Sequence, residues 1–222
     1  MRTTSKLLAV SFAASLMAGA AFQAHAVGEI ISPTGAVINV GGPGFGTISE
    51  TFNHAGLITN FVSGVTNFNA YIGGNPLHDF VFINGEWFSN NPSTTATVTY
   101  DLGGARLIDR LALWNEDASG IGRLSLLTSL DNITFSALGA FSPTDNPINV
   151  NYGPDTFSFA TTNARYVRFV MTGCPQAPSI FDACAIGEVG FRVAAIPEPE
   201  TFALMLAGLG VLAFVARRSR KA

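Results

Sequence analysis

The sequence predicts an all-β fold, a jelly-roll β-sandwich, between an export signal and a short apolar tail. Runs of β-branched and aromatic residues recur through the middle of the chain, separated by segments rich in Gly, Pro, Asn and Asp. Apolar and polar residues alternate most clearly in 95–100 and 166–170, a period of two that turns one face of a strand inward. The 18 phenylalanines supply large apolar side chains for the space between two sheets.

The N-terminus has the composition of a secretory signal peptide. Arg2 and Lys6 form a charged region, residues 7–22 are nearly all apolar, and Ala24–Ala26 offers a small-x-small cleavage site. The apolar run has no polar face, which argues against the alternative of a first core helix. We therefore predict a signal peptide over residues 1–26 and export across the inner membrane.

The charge of the middle region excludes nucleic acid as a partner. Between the two end segments, six arginines stand against 13 carboxylates, a formal charge of −7. Such a surface repels phosphate backbones. It is compatible with cations and with neutral ligands such as sugars.

The chain has two cysteines, Cys174 and Cys184. An even pair in an oxidising compartment predicts a disulfide that closes a loop of about ten residues. In the chain-entropy model such a loop contributes about 2–3 kcal/mol. The alternative, a metal-binding pair, lacks a second Cys or His pair nearby.

Several segments of the middle region carry a family resemblance. In chain order they are INGEWFSNN, TVTYDLGGARLIDRLALWN, LLTSLDNITFSALGAF, ARYVRFVMTG and IGEVGFRV. Together they resemble the discoidin, or coagulation-factor C-type, galactose-binding-like domain. The resemblance implies a discoidin-like sandwich over residues 75–195, with 27–74 as an N-terminal β segment that joins it. In the hairpin segment, Asn132 suits a tight turn and Phe135 is expected to pack back into the sandwich.

The resemblance also implies a structural Ca²⁺ ion between the loop before the conserved Trp and a Glu in the last strand. The matching residues are Asn84, Glu86 and Glu188. Oxygen ligands of this kind are what Ca²⁺ prefers. The family usually has Asp where this chain has Asn84. The alternative role for Glu188 is an ion pair with Arg168 or Arg192.

Ligand recognition in this fold falls on loops at one end of the sandwich, and residues 67–76 and 115–123 are the candidate loops. Sugar binding needs an exposed aromatic ring and polar side chains for the hydroxyl groups. The alternative is that the aromatic residues belong to the core, as expected for Trp114. The candidate ligand-binding residues are Tyr71, Asn115, Glu116, Asp117 and Arg123.

The sequence predicts a non-enzymatic protein without catalytic residues. It contains no Gly-x-Ser-x-Gly elbow, His-Glu-x-x-His motif or Walker loop. His78 and Asp79 are adjacent, so on a strand they point to opposite faces and do not form a dyad easily. A glycan hydrolase is the alternative, and it would need two carboxylates about 5–10 Å apart across a cleft.

The C-terminal segment, 196–222, combines a Pro-Glu-Pro triplet, an apolar run and a basic cluster. The run of about 15 apolar residues is shorter than the ~20 that usually span a bilayer, but with its flanks it predicts a single short transmembrane helix. The basic cluster then stays in the cytoplasm. The residues that we single out are Pro197, Glu198 and Pro199 of the triplet and Arg217 and Arg218 of the basic cluster.

This three-part order at the C-terminus resembles the PEP-CTERM sorting signal. In bacteria that carry the signal, a membrane-embedded exosortase processes it, much as the apolar tail of a lipid-anchor signal is removed. The resemblance implies a transient hold on the inner membrane with the domain on the periplasmic side, then the cell surface or extracellular space. We therefore expect an exported bacterial protein that binds carbohydrate or exopolysaccharide. The alternative is a structural matrix protein without a specific small ligand.

Overall fold

The computed structural model describes residues 28–81, 85–176, 179, 181–194, 205–212 and 217. The predicted signal peptide, Pro197, Glu198, Pro199 and Arg218 lie outside this part of the chain. The strands are β1 (Ile30–Ile31), β2 (Gly35–Val40), β3 (Trp87–Phe88), β4 (Thr95–Asn115), β5 (Arg123–Ser129), β6 (Ser136–Phe141), β7 (Asp155–Thr172) and β8 (Ala185–Val193). A 3₁₀ turn covers Ile48–Thr51, and a short helix, α1, covers Phe68–Gly73.

The strands are joined by antiparallel pairing, and the predicted all-β sandwich is confirmed. Their order is β1-β8-β4-β7-β5-β6, with β2 paired to β4 and β3 paired to β8. Outside the named strands, His78 makes isolated bridges to Leu57 and Tyr152.

The long strands β4 and β7 each serve both layers of the sandwich. The strand β4 continues through a register shift between Asp101 and Arg106. Gly103 lies in this irregular stretch at φ +76°, a conformation that glycine adopts at little cost. The first part of β4 pairs with β2 and the last part pairs with β8. Phe169 of β7 contacts the rings of both Tyr100 and Phe191, and so joins the two layers.

The end of β4 is buried on both faces. Leu111 and Leu113 belong to the main core, whereas Ala112 and Trp114 belong to a second cluster on the opposite face. The second cluster is completed by residues from 57–72 and by Ile30 and Tyr152. The N-terminal segment therefore contributes β1 and β2, as expected, and also a cover for the outer face of the sheet.

Part of this cover is helical where the sequence suggested a ligand-binding loop. The side chain of Asn67 accepts a hydrogen bond from the backbone N–H of Ala70, which caps the first turn of α1. Phe68 at the start of the helix is 1% exposed. The prediction that residues 67–76 form an open loop is therefore wrong, because burial of Phe68 and the Asn67 cap favour a helical turn.

The disulfide between Cys174 and Cys184 is present and links the end of β7 to the start of β8, with Cα atoms 5.0 Å apart. In the β5–β6 hairpin, Asn132 adopts φ +62°, as the turn requires. Phe135 does not pack into the core as expected. It is half-buried, and the Arg168 guanidinium lies 3.7 Å from the centroid of its ring. The cation–π contact with Arg168 replaces core packing for this ring.

The C-terminal residues belong to a structural unit separate from that of the sandwich, which spans 27–196. Residues 205–212 are helical and exposed, as is Arg217. Among the described residues, no helix combines the length and the apolar character needed to cross a bilayer.

Candidate functional site

The candidate site is a cleft of about 540 Å³ formed by loops that are distant in the sequence. Its walls are mainly apolar and include four aromatic side chains, and two acidic residues that follow directly after β4, Glu116 and Asp117, also line it. Polar groups of Ser119, Asn149 and Ser179 also line the cleft. The aromatic members of the lining are Phe45, Phe80, Phe88 and Phe181.

Two of these aromatic rings are open to solvent. Phe45 is 46% exposed and Phe80 is 38% exposed, whereas Phe88 is almost buried. Phe88 supports the wall through edge-to-face contacts, with its ring centroid 6.3 Å from that of Phe45 and 5.5 Å from that of Phe181. Such contacts hold the exposed ring of Phe45 at a fixed place in the cleft.

The loop that carries Phe45 is fixed by its backbone. The N–H and carbonyl of Phe45 pair with those of Phe88 at 2.9 Å each. The N–H of Gly44 donates to the side chain of Asn90. Gly44 has φ +79°, and a Cβ atom there would lie 1.8 Å from the carbonyl oxygen of Phe88. Glycine is therefore required at this position for the close approach of the two backbones.

The two acidic side chains of the cleft are fixed by backbone donors. Oε2 of Glu116 accepts hydrogen bonds from the N–H groups of Ala118 and Ser119, and Oδ2 of Asp117 accepts one from the N–H of Asn149. Glu116 is 2% exposed and Asp117 is 4% exposed. Each carboxylate keeps its other oxygen for a further partner.

A third carboxylate, that of Glu86 next to β3, lies beside this pair. One oxygen from each of Glu86, Glu116 and Asp117 lies within 4.8 Å of the others. Oε1 of Glu86 accepts a hydrogen bond from the Tyr152 hydroxyl. Its Oε2 is buried and has no hydrogen-bond partner among the described residues. The resulting acidic group consists of Glu86, Glu116 and Asp117.

Burial dominates the electrostatics of this acidic group. It raises the pKa of Glu86 to about 8, the hydrogen bond from Tyr152 opposes the rise, and the charge of Asp117 adds to it. Burial, followed by the charge of Glu86, also raises the pKa of Glu116. Three carboxylates packed this closely need protons or a cation to balance their charge.

His78 contacts the acidic group through Glu86. Its Nδ1 is 2.7 Å from the backbone oxygen of Asp79 and 3.5 Å from Oε1 of Glu86, and its ring stacks on Tyr152. The side chain is fully buried, and burial lowers its pKa. His78 therefore contacts the main chain of Asp79 rather than its carboxylate.

Three predicted ligand-binding residues are not brought to the cleft. Tyr71 lies on α1, where its hydroxyl donates to the carbonyl of Thr59 and its ring packs on Phe61. The Asn115 side chain is buried, and its hydrogen-bonding groups are used within the protein. Its oxygen accepts from the N–H of Ile121, and its amide nitrogen donates to the carbonyl of Thr144 and to the side chain of Gln176. Arg123 is exposed at the start of β5 and does not line the cleft.

The cation site implied by the resemblance stays a prediction, because one of its three members is not among the described residues. Asn84 lies outside them, and Glu188 is not a member of the acidic group. Oε2 of Glu188 accepts from the N–H of His54, and burial raises its pKa well above the usual value. The alternative ion pairs of Glu188 are not formed, because both arginines have other partners. Arg192 pairs with Asp109, and Arg168 donates to Thr99.

Comparison with known proteins agrees with the architecture. Residues 63–184 match the family described as the F5/8 type C domain. Residues 195–221 match the PEP-CTERM protein-sorting motif. None of the curated proteins compared matches the chain.

Similar solved structures include three carbohydrate-binding modules. The CBM32 of AlyQ in complex with 4,5-unsaturated mannuronic acid is 15% identical, with 73% of this chain and 96% of that chain covered and a TM-score of 0.44. Chitosan-binding module 1 of a chitosanase/glucanase from Paenibacillus sp. IK-5 is 18% identical, with coverages of 72% and 95% and a TM-score of 0.46. CBM32-3 from a family 31 glycoside hydrolase of Clostridium perfringens is 19% identical, with coverages of 49% and 74% and a TM-score of 0.39.

The domain match begins at residue 63, within the segment that covers the outer face of the sheet, and ends at Cys184. It therefore includes α1, β3 to β7 and both Glu86 and Glu116. Because this match spans more than half of the sequence, the chain belongs to the F5/8 type C domain family.

Proposed function

We propose that this protein is exported, processed at its C-terminal sorting motif, and binds carbohydrate of the cell surface or extracellular matrix through the cleft. The observation that carries the proposal is the combination of exposed aromatic rings and fixed polar groups in one concave site. Small-molecule sites in proteins have this composition, with apolar walls and a few convergent polar groups.

The chemistry of the lining suits a sugar ring. The exposed faces of Phe45 and Phe80 offer an apolar surface for the C–H groups of a pyranose. The carboxylates at the floor and the side chains of Asn149 and Ser179 can accept hydrogen bonds from its hydroxyl groups. Of the lining residues, none is basic, so the site suits neutral or cationic sugars better than strongly anionic ones.

Replacing Phe80 by alanine is expected to weaken carbohydrate binding about 2- to 12-fold, which corresponds to the ~0.5–1.5 kcal/mol of one aromatic contact. A glycan array with the purified full-length protein first selects a ligand, and isothermal titration calorimetry then compares the variants. Ile133→Ala is the matched control, because Ile133 is 84% exposed and does not line the cleft. Absence of binding to every glycan, with and without Ca²⁺, would instead favour a structural matrix protein.

Replacing Pro197, Glu198 and Pro199 together by alanine is expected to stop processing of the tail, because the triplet is the feature of the motif that an exosortase would read. In a bacterial host that has an exosortase, the variant should stay in the membrane fraction at full mass. The unaltered protein should lose the tail, as measured by mass spectrometry of fractionated cells. Equal masses and locations for the two proteins would contradict the sorting proposal. Carbohydrate binding in vitro is independent of this result.

A further inference from the structure

We propose that Glu86, Glu116 and Asp117 bind a Ca²⁺ ion at the floor of the cleft. The three residues come from two distant parts of the chain, and the fold brings one oxygen of each within 4.8 Å of the others. This set differs in two of its three members from the set that the family resemblance implies. It shares Glu116 and Asp117 with the carbohydrate proposal but is tested separately, because it concerns a cation that binds without a sugar.

The strongest evidence is the carboxylate of Glu86. It is fully buried, and its Oε2 has no hydrogen-bond partner among the described residues. A buried oxygen without a partner costs free energy unless something compensates it. Its other oxygen is held by the Tyr152 hydroxyl, so the carboxylate is fixed in place beside Glu116 and Asp117.

The carboxylates of Glu116 and Asp117 are also fixed in place, and each uses only one of its two oxygens for this. Glu116 uses Oε2 for two backbone N–H groups, and Asp117 uses Oδ2 for one. Both residues line the cleft, which gives an ion a path from solvent. Three fixed carboxylates around one point form a preorganised site for a cation.

No basic side chain balances this charge within the described part of the chain. The two arginine ion pairs found there, Arg165 with Asp101 and Arg192 with Asp109, involve other carboxylates. The imidazole of His78 has its Nδ1 3.5 Å from Oε1 of Glu86, but this nitrogen lies closer, at 2.7 Å, to the backbone oxygen of Asp79. A bound cation supplies the positive charge that no basic side chain in this part of the chain provides.

The donor set favours Ca²⁺ over other common ions. All three ligands are hard carboxylate oxygens, whereas Zn²⁺ sites use mainly nitrogen and sulfur. Oxygens on opposite sides of Ca²⁺ lie about 4.6–5.2 Å apart, which accommodates separations up to 4.8 Å. Mg²⁺ needs oxygens at about 2.0–2.1 Å and keeps more of its water. Extracellular modules bind Ca²⁺ with Kd values of about 0.1–1 mM, and we expect a value in this range.

The test uses the purified full-length protein after removal of divalent ions with a chelator. Titration with CaCl₂ should show saturable binding by calorimetry, and 10 mM CaCl₂ should raise the Tm by about 3–10 °C. The double substitution Glu116→Gln and Asp117→Asn should abolish both effects. MgCl₂ should bind at least about tenfold more weakly. No carbohydrate is present, so failure of this test and failure of the carbohydrate proposal are distinguishable.

Two further variants complete the design. Glu188→Gln is the matched control, because it neutralises a buried carboxylate outside the acidic group and should leave the Ca²⁺ response unchanged. If the double variant shows no cooperative melting, Glu86→Gln replaces it, and loss of the Ca²⁺ response is again the expected result. The proposal is overturned if the unaltered protein gives no Ca²⁺ response, or if the response survives neutralisation of the acidic group. Loss of the response only in Glu188→Gln would also overturn it, and would place the ion elsewhere.

Discussion

Replacing Trp114 by alanine is expected to lower the free energy of unfolding by about 3–5 kcal/mol. Trp114 is fully buried in the cluster between the outer sheet face and residues 57–72. Its Nε1 also donates to the carbonyl of Pro76 at 2.8 Å, so the substitution leaves a cavity and an unpaired buried oxygen. Urea unfolding followed by fluorescence and circular dichroism measures the change.

The control for this prediction is Trp114→Phe. It keeps an aromatic ring in the cluster and loses the Pro76 hydrogen bond, so a smaller loss of about 1–2 kcal/mol is expected. A loss below about 1 kcal/mol in Trp114→Ala would contradict the account, because it would mean that the N-terminal segment does not cover this face of the sheet.

Replacing Glu188 by glutamine is expected to make the stability of the protein less dependent on pH. The carboxyl of Glu188 is buried in β8, and burial raises its folded-state pKa well above the unfolded value of 4.5. Below pH 4.5 it is protonated in both states, and its contribution to stability is fully present. As pH rises, the unfolded state ionises first, and stability falls by about 1.4 kcal/mol per pH unit until the folded pKa is reached.

Glutamine keeps an acceptor for the N–H of His54 and stays neutral at every pH. The difference in unfolding free energy between Glu188→Gln and the unaltered protein should therefore grow in favour of the variant between pH 5 and pH 8. Glu86 and Glu116 have raised pKa values as well, so the difference between the two proteins is the quantity to measure. Parallel pH profiles from urea unfolding at pH 5, 6, 7 and 8 would contradict this prediction.

The strands of the sandwich were predictable because their side chains alternate. The sequence places Ala96, Val98 and Tyr100 on one face, and these residues are buried in the main core. The outer face of β4 was harder to predict, because Leu111 to Trp114 form a continuous apolar run without alternation. A run of this kind indicates burial on both faces, but it does not identify the segment that covers the second face.

The candidate site was only partly predictable. Glu116 and Asp117 were predicted as ligand-binding residues from their loop position, and both line the cleft. Phe45 and Phe80 were missed, because no local pattern shows that two loops far apart in the sequence meet beside β3. A signal was present in the segment GGPGFG, where Gly41, Gly44 and Gly46 all have positive φ and fix a tight path next to Phe88.

The members of the acidic group were also only partly predictable from the sequence. The resemblance pointed to Glu86, which is a member, but joined it to Asn84 and Glu188 rather than to Glu116 and Asp117. The position of Glu116 and Asp117 beside Glu86 depends on the path of the chain after β4, where the N–H groups of Ala118, Ser119 and Asn149 fix both carboxylates. Hydrogen bonds from backbone N–H groups cannot be predicted from the spacing of residues in the sequence.

Carbohydrate binding in the cleft is the central claim, and chemical-shift mapping by nuclear magnetic resonance tests it most directly. The labelled full-length protein is titrated with the oligosaccharide selected by the glycan array. The expected result is that the amide signals of Phe45, Phe80, residues 117–119 and Asn149 shift in a saturable way, while those of the 131–135 hairpin do not. Shifts confined to the hairpin or to the helix that carries Tyr71, with the cleft signals unchanged, would contradict the account.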